Sequence, residues 1–297
     1  MPAMATSSRP VLLVTGARAG IGKFLSQYYA RHGYRVIGVS RRDAGYKLKD
    51  FQHFRADVSK PEDVARLFAD IRKAYGRLDA LINNAAVKPP VTPAMLTPNA
   101  LARQAMEINF LGAFTMSVEA AKLMMARRFG RIVNISSMAV KHEVRGESIY
   151  AASKAALTTF TRVFAKEVYD HGITCNIVAP SAIDTGLMKT VDSKALAEVL
   201  KRNAAPKPGE LKDVTNAILP SGEKTTLGTM FRRVPASSST VFKRLTSEPA
   251  AMSQSLYSPP KLPVMANLPS GETAMSPICC NVERRLLGVV VWPNSFI

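Results

Sequence analysis

The chain has 297 residues, of which 47% are hydrophobic, and a formal net charge of +18. That length allows a full core, while no apolar run approaches the roughly 20 residues that cross a bilayer. The amino-terminal MPAMATSSRP has no basic-then-apolar signal pattern, so a cytoplasmic protein with no membrane partner is expected.

Over the first 180 residues short apolar segments alternate with amphipathic ones. VLLVTG (11–16), RVIGVS (35–40), FQHFRAD (51–57), LDALINN (78–84), RIVNISS (131–137) and ITCNIVAP (173–180) predict strands. Helical patterns occupy about 20–32, 61–75, 101–127 and 149–170. This alternation predicts an α/β fold with a doubly wound parallel sheet of Rossmann type, its ligand crevice at the strand carboxyl ends. Later the pattern breaks down into Pro- and Ser-rich sequence such as YSPPKLP. The expected organisation is an amino-terminal tail (1–10), one domain (11–232) and an irregular tail (233–297). Within that tail LLGVVVW (286–292) reads as a strand, an unpaired edge or an aggregation-prone segment.

The first predicted strand runs directly into Gly16, Gly20 and Gly22 and then a helix. Such a turn lets backbone approach a pyrophosphate, and the helix start offers free N–H groups. The second strand ends at Ser40, followed by Arg41 and Arg42 rather than an acidic residue, and Arg18 adds charge within the glycine turn. Guanidinium groups suit a ribose 2′-phosphate, which favours NADP(H) over NAD(H). Asp43 is the counter-indication, expected to lie past the contact point. A solvated basic surface is the alternative.

Tyr150 and Lys154, in YAASK, lie four residues apart in a strongly helix-forming stretch and should project side by side. A second Tyr-x-x-x-Lys match, Tyr257 to Lys261, encloses Pro259 and Pro260 and cannot do so on a helix. An ammonium beside a phenol lowers its pKa from about 10 toward the working range of an acid–base catalyst.

TGARAGIG, NNAA, NISS and YAASK, in this order, make the chain resemble the classical short-chain dehydrogenase/reductase family over about residues 10–220. The resemblance implies a cofactor loop of Thr15, Gly16, Gly20, Ile21 and Gly22, an adenine contact at Asp57 with Val58, and a turn at Asn83 to Ala86 that includes Asn84. It implies a catalytic set of Asn109, Ser137, Tyr150 and Lys154, with Lys154 also reaching the nicotinamide ribose and Asn109 holding a relay water. Ser137 is favoured over Ser136 by its 13-residue interval to Tyr150. Ile183 and Thr185 would border the nicotinamide. The implied reaction is hydride transfer between NADP(H) and a secondary alcohol or ketone, including 3-oxoacyl thioesters. A catalytically silent, cofactor-sensing protein is the alternative. Two departures stand out: Ala86 and Ser181 replace family glycines, and no V-D-G-G-like turn follows GTMFR (228–232), which resembles the family's seventh strand. A shifted reading frame or a genuine extension would explain the unmatched tail.

The positive charge is compatible with anionic cofactors, acidic substrates or an acidic acyl-carrier partner, for which Arg127 and Arg128 are candidate contacts. No nucleic-acid-binding motif is present, and no nucleic-acid partner is expected. Three cysteines and four scattered histidines offer no metal-ligand spacing. Apolar residues on the last two long helices, among them Ala120, Ala121, Met124, Met125, Ala156, Phe160, Val163 and Phe164, suggest a homodimer or homotetramer.

Overall fold

The computed structural model describes residues 9–185, 197, 200, 201, 207–218, 284–286 and 289–292. Six parallel strands form the body of the sheet: β1 (Val11–Thr15), β2 (Arg35–Ser40), β3 (Phe51–Arg55), β4 (Ala80–Asn83), β5 (Gly130–Ile135) and β6 (Ile173–Pro180). Their order is β3-β2-β1-β4-β5-β6, so the winding reverses between β1 and β4. That reversal opens a crevice above the carboxyl ends of the central strands.

Strand β1 shows why the sheet is covered twice. All five of its residues are buried, and successive side chains point to opposite faces. Val11 and Leu13 join a core with α2 (Pro61–Tyr75), α4 (Ala113–Met125) and α6 (Ser148–Tyr169). Leu12 and Val14 join a second core with α1 (Gly20–Arg31) and a late helix, Leu211–Ile218. Helix α2 carries local start and stop signals: Pro61 with Glu62 and Asp63 at its beginning, and Gly76 at φ 62° at its end. Proline and acidic residues suit the first turn, and glycine takes the left-handed cap without a Cβ penalty.

The expected helix over 101–127 is present but divided. Helix α3 (Asn99–Met106) passes into a π-helical turn, Glu107–Gly112, before α4 begins. Gly112 sits where an added Cβ would lie 2.9 Å from Val58 Cγ2, so the turn brings this backbone hard against the end of β3. A four-residue helix, α5 (Ala139–His142), precedes α6.

The late run LLGVVVW contains strand β8 (Val289–Trp292), preceded by β7 (Arg284–Leu286). Strand β8 pairs antiparallel with β6, from Ile177 opposite Trp292 to Pro180 opposite Val289, and thereby covers the β6 edge. The GTMFR segment and residues 233–283 lie outside the described residues, as do 186–196 and the first eight residues. Among the described residues no helix is long and apolar enough to cross a membrane.

Candidate active site

Gly16 (φ 69°) and Gly20 (φ 54°) carry the chain from β1 into α1 through left-handed backbone. At Gly22 the constraint is space: a Cβ there would lie 2.3 Å from the Gly16 carbonyl oxygen and 2.5 Å from Asn84 Nδ2. The turn is tied to the end of β4 as well. Thr15 Oγ1 accepts from the backbone N–H of Asn84 and of Ala85, both at 3.0 Å, and Asn84 Nδ2 donates to the Thr15 carbonyl at 2.9 Å. Thr15 and Gly22 therefore shape the site from beneath. Gly16, Arg18, Gly20, Ile21 and Asn84 line it.

The cavity above this turn has a volume of about 680 Å³. Ser40, Arg41, Arg42, Asp57 and Val58 line it where β2 and β3 end, and Ser137, Tyr150, Lys154, Ile183 and Thr185 line it around β5 and β6. Arg18, Arg41 and Arg42 are all exposed and thus available to an anion. The Ser40 hydroxyl donates to the Arg42 carbonyl at 2.8 Å and contacts His53 Nε2 at 2.7 Å, which holds the tip of β2 in shape. Asp43 lies 3.9 Å from Arg55 Nε and is not part of the cavity wall. A narrow glycine turn, a helix start and three arginines fit the pyrophosphate and 2′-phosphate of a dinucleotide.

Helix α6 places Tyr150 and Lys154 one turn apart. Lys154 is 2% exposed, and its Nζ donates to the Ile135 carbonyl at 2.7 Å. Burial pulls its pKa down to about 8. The Tyr150 phenol is pushed above its ordinary value, first by burial and also by the Glu147 carboxylate, while a hydrogen bond with Ser137 opposes the shift. Sequence reasoning predicted a lowered phenol. The difference arises because the ammonium is held by a backbone carbonyl and both groups are desolvated. Ser136 is 4% exposed and turned inward, its hydroxyl donating to the Lys154 carbonyl at 3.3 Å and contacting Thr158 Oγ1 at 2.8 Å. Both serines line the cavity, but it is the Ser137 hydroxyl that meets Tyr150.

Asn109 lies elsewhere. Its side chain is fully buried within the π-helical turn and outside the cavity wall. Its Oδ1 accepts from Val87 N–H at 2.8 Å, and its Nδ2 donates to the Val87 carbonyl at 2.9 Å and to Ser153 Oγ at 3.0 Å. It thus joins the turn after β4 to α6 next to Lys154. Sequence reasoning missed Ser153, His142 and a cavity-lining ion pair, Lys88 with Glu147. No local pattern marks Ser153, Lys88 or Glu147, since each meets its partner from a segment remote in sequence.

Set beside known proteins, residues 10–196 match the model of the short chain dehydrogenase family. The chain is 30% identical over 221 residues to a 3-oxoacyl-[acyl-carrier-protein] reductase of Vibrio cholerae, covering 70% of this chain and 87% of that one. It is 32% identical over 216 residues to a human 3-oxoacyl-[acyl-carrier-protein] reductase, covering 70% and 89%. Among solved structures, ElxO with NADP bound superposes with a TM-score of 0.66 at 28% identity, over 73% of this chain and 93% of that one. With the reversing sheet, the glycine turn and the Ser137–Tyr150–Lys154 cluster in place, these matches establish that the chain belongs to the short-chain dehydrogenase family.

Proposed function

We propose that this short-chain dehydrogenase is an NADPH-dependent reductase of carbonyl compounds, with 3-oxoacyl thioesters as the first substrate class to test. The observation that carries the reading is one continuous cavity, bounded by Arg41 and Arg42 after β2 and by Ser137, Tyr150 and Lys154 beyond β5. Relatives named as 3-oxoacyl-[acyl-carrier-protein] reductases support the substrate class, and the NADP-bound neighbour supports the cofactor.

When bound, the dinucleotide supplies the hydride. Arg41 and Arg18 would hold the 2′-phosphate, with Ser40 shaping the strand tip. Thr15, Gly16, Ile21 and Gly22 would form the pyrophosphate turn, and Asp57 and Val58 the adenine wall. Lys154, with one N–H given to Ile135, has two donors left for ribose hydroxyls. Ile183 and Thr185 would bound the nicotinamide. Ser137 would hold the carbonyl oxygen of the substrate against the Tyr150 hydroxyl, which gives its proton to that oxygen as the carbon is reduced. The raised Tyr150 pKa suits this direction, since the phenol stays protonated at neutral pH. Asn109 would act by fixing the Val87 turn and Ser153 rather than through its own amide in the cavity. The placement of exposed Arg127 and Arg128 at the end of α4 is compatible with an acidic carrier partner, and the protein would work in the cytoplasm.

Thermal-shift titration with NADPH and NADH in parallel, followed by NADPH oxidation with a 3-oxoacyl thioester, tests the proposal. Ligand at a hundredfold excess over Kd should stabilise by about 2.7 kcal/mol. NADPH should give the larger shift, and Arg41→Ala should weaken NADPH about tenfold while sparing NADH, the equivalent of about 1.4 kcal/mol. Equal shifts for both cofactors would remove the 2′-phosphate assignment. Cofactor binding without thioester turnover would remove the substrate class.

A further inference from the structure

Two charged side chains that hydride transfer does not require stand beside Tyr150. Lys88 follows the turn after β4, and its Nζ lies 2.7 Å from Oε1 of Glu147, the residue that precedes α6. The same Nζ lies 5.6 Å from the centre of the Tyr150 ring. Both side chains line the cavity, at 21% and 8% exposure, where solvent screens little.

The pair is not needed to hold its two segments together. Thr92 N–H donates to the Gly146 carbonyl at 2.9 Å, and Val91 packs where a Gly146 Cβ would lie 2.7 Å from its Cγ1. Backbone and packing already join 91–92 to 146. What remains for the ion pair is electrostatic. A bare carboxylate beside a phenol disfavours phenolate, whereas a paired ammonium cancels most of that field. The other polar groups of the cavity wall on this side are Ser136 and Ser137 after β5, His142 of α5, Lys154 on α6 itself and Ser181 after β6. Arg18, Arg41, Arg42 and Asp57 share the cavity, but the arginines and aspartate after β2 and β3 stand three or more strands from β5.

We propose that Lys88 is a positioning residue for the acid–base step: paired with Glu147 against the Tyr150 ring, it offsets the carboxylate's charge and so helps set the pH at which the tyrosine exchanges its proton. This rests on the reading of Tyr150 as proton donor.

Two readouts separate the pair from the reaction. The phenol is titrated by ultraviolet difference spectroscopy, each variant against the same variant carrying Tyr150→Phe, and kcat/KM for carbonyl reduction is followed across pH. Lys88→Met should raise the phenol titration by about one pH unit, and Glu147→Gln should lower it by a similar amount. Reduction needs the protonated phenol, so the alkaline limb should move in the same directions. Lys88→Arg, which keeps the charge, should titrate as wild type and shows that loss of charge, not of fold, is measured. Unchanged titrations, or shifts of the same sign in Lys88→Met and Glu147→Gln, overturn the proposal. Opposite shifts without any carbonyl turnover would leave the pair's effect standing and remove the functional reading instead.

Discussion

The Lys154 ammonium is 2% exposed, with the Ile135 carbonyl as its acceptor, and burial lowers its pKa from 10.5 to about 8. Between pH 8 and 10.5 the unfolded chain therefore holds a proton that the folded chain releases, and stability gains from rising pH across that window. Below pH 8 the fold carries the full penalty of a buried charge, about 3 kcal/mol at most. Lys154→Met removes that penalty and leaves the Ile135 carbonyl without its partner, a loss of about 1–2 kcal/mol. The variant without bound cofactor should thus melt no lower than wild type at pH 7, yet show no turnover. Its advantage should shrink as pH rises from 8 to 10.5, which paired melting curves would reveal. A variant less stable at pH 7, with a gap independent of pH, would contradict the buried-charge account. The lateral placement of Tyr150 and Lys154 was legible in the sequence because an i, i+4 pair on a helix is a local matter. Which way the ammonium turns was not, since Ile135 lies on a strand 19 residues earlier and only the packed sheet brings its carbonyl within 2.7 Å.

At the level of elements, the turn between β1 and α1 depends on two approaches that no side chain tolerates. Gly22 faces the Gly16 carbonyl and Asn84 Nδ2, so Gly22→Ala must displace either the turn or the β4 end that Thr15 and Asn84 tie to it. Overpacking of this kind costs about 1–3 kcal/mol. The expected outcome is a lower melting temperature together with loss of the NADPH-induced shift. Retention of a full shift would mean that the turn does not cradle the cofactor. The parallel strands were legible because most are short apolar runs between helical patterns; β3 (FQHFR), half-exposed and following β2 without a helix, was marked by its aromatic alternation instead. The π-helical turn at Glu107–Gly112 was not: EINFLGAF has ordinary helical composition, and the distortion belongs to the contact of Gly112 with Val58. Asn109 shows the consequence. Its identity could be read from the family pattern, but its bonds to Val87 and Ser153 depend on that extra turn of backbone. Likewise LLGVVVW has the composition of a strand, while its partner β6 lies more than a hundred residues away and carries no local signal.

For the whole molecule, the apolar residues of α4 and α6 divide between the core and an exposed outer face. Of the apolar residues read as contact candidates, Ala120, Ala121, Met124 and Phe164 are buried in the core. Met125 and Val163 stay exposed, at 38% and 51%, and Leu111 and Phe114 join them at 40% each. Phe114 packs edge-on against Phe160 with ring centres 5.2 Å apart, so the exposed residues of the two helices border one aromatic cluster. Covering a large apolar side chain contributes about 1.5–3 kcal/mol when burial is complete. Several on each subunit would hold a symmetric pair of helices together, since an isologous interface uses each residue twice. We expect the protein to sediment as a dimer or tetramer at micromolar concentration, with a melting temperature that rises with concentration. Val163→Glu combined with Phe114→Glu should give monomers, because each carboxylate would have to be desolvated against the apolar patch of the other subunit. The fold should survive, both positions being partly exposed already, and circular dichroism would show it. A wild-type protein that sediments as a monomer with a concentration-independent melting temperature would assign the exposed residues of α4 and α6 to no self-association. The cavity, formed within a single chain from β1 to β6, would then have to bind cofactor as a monomer, and NADPH titration of the double variant measures whether it does.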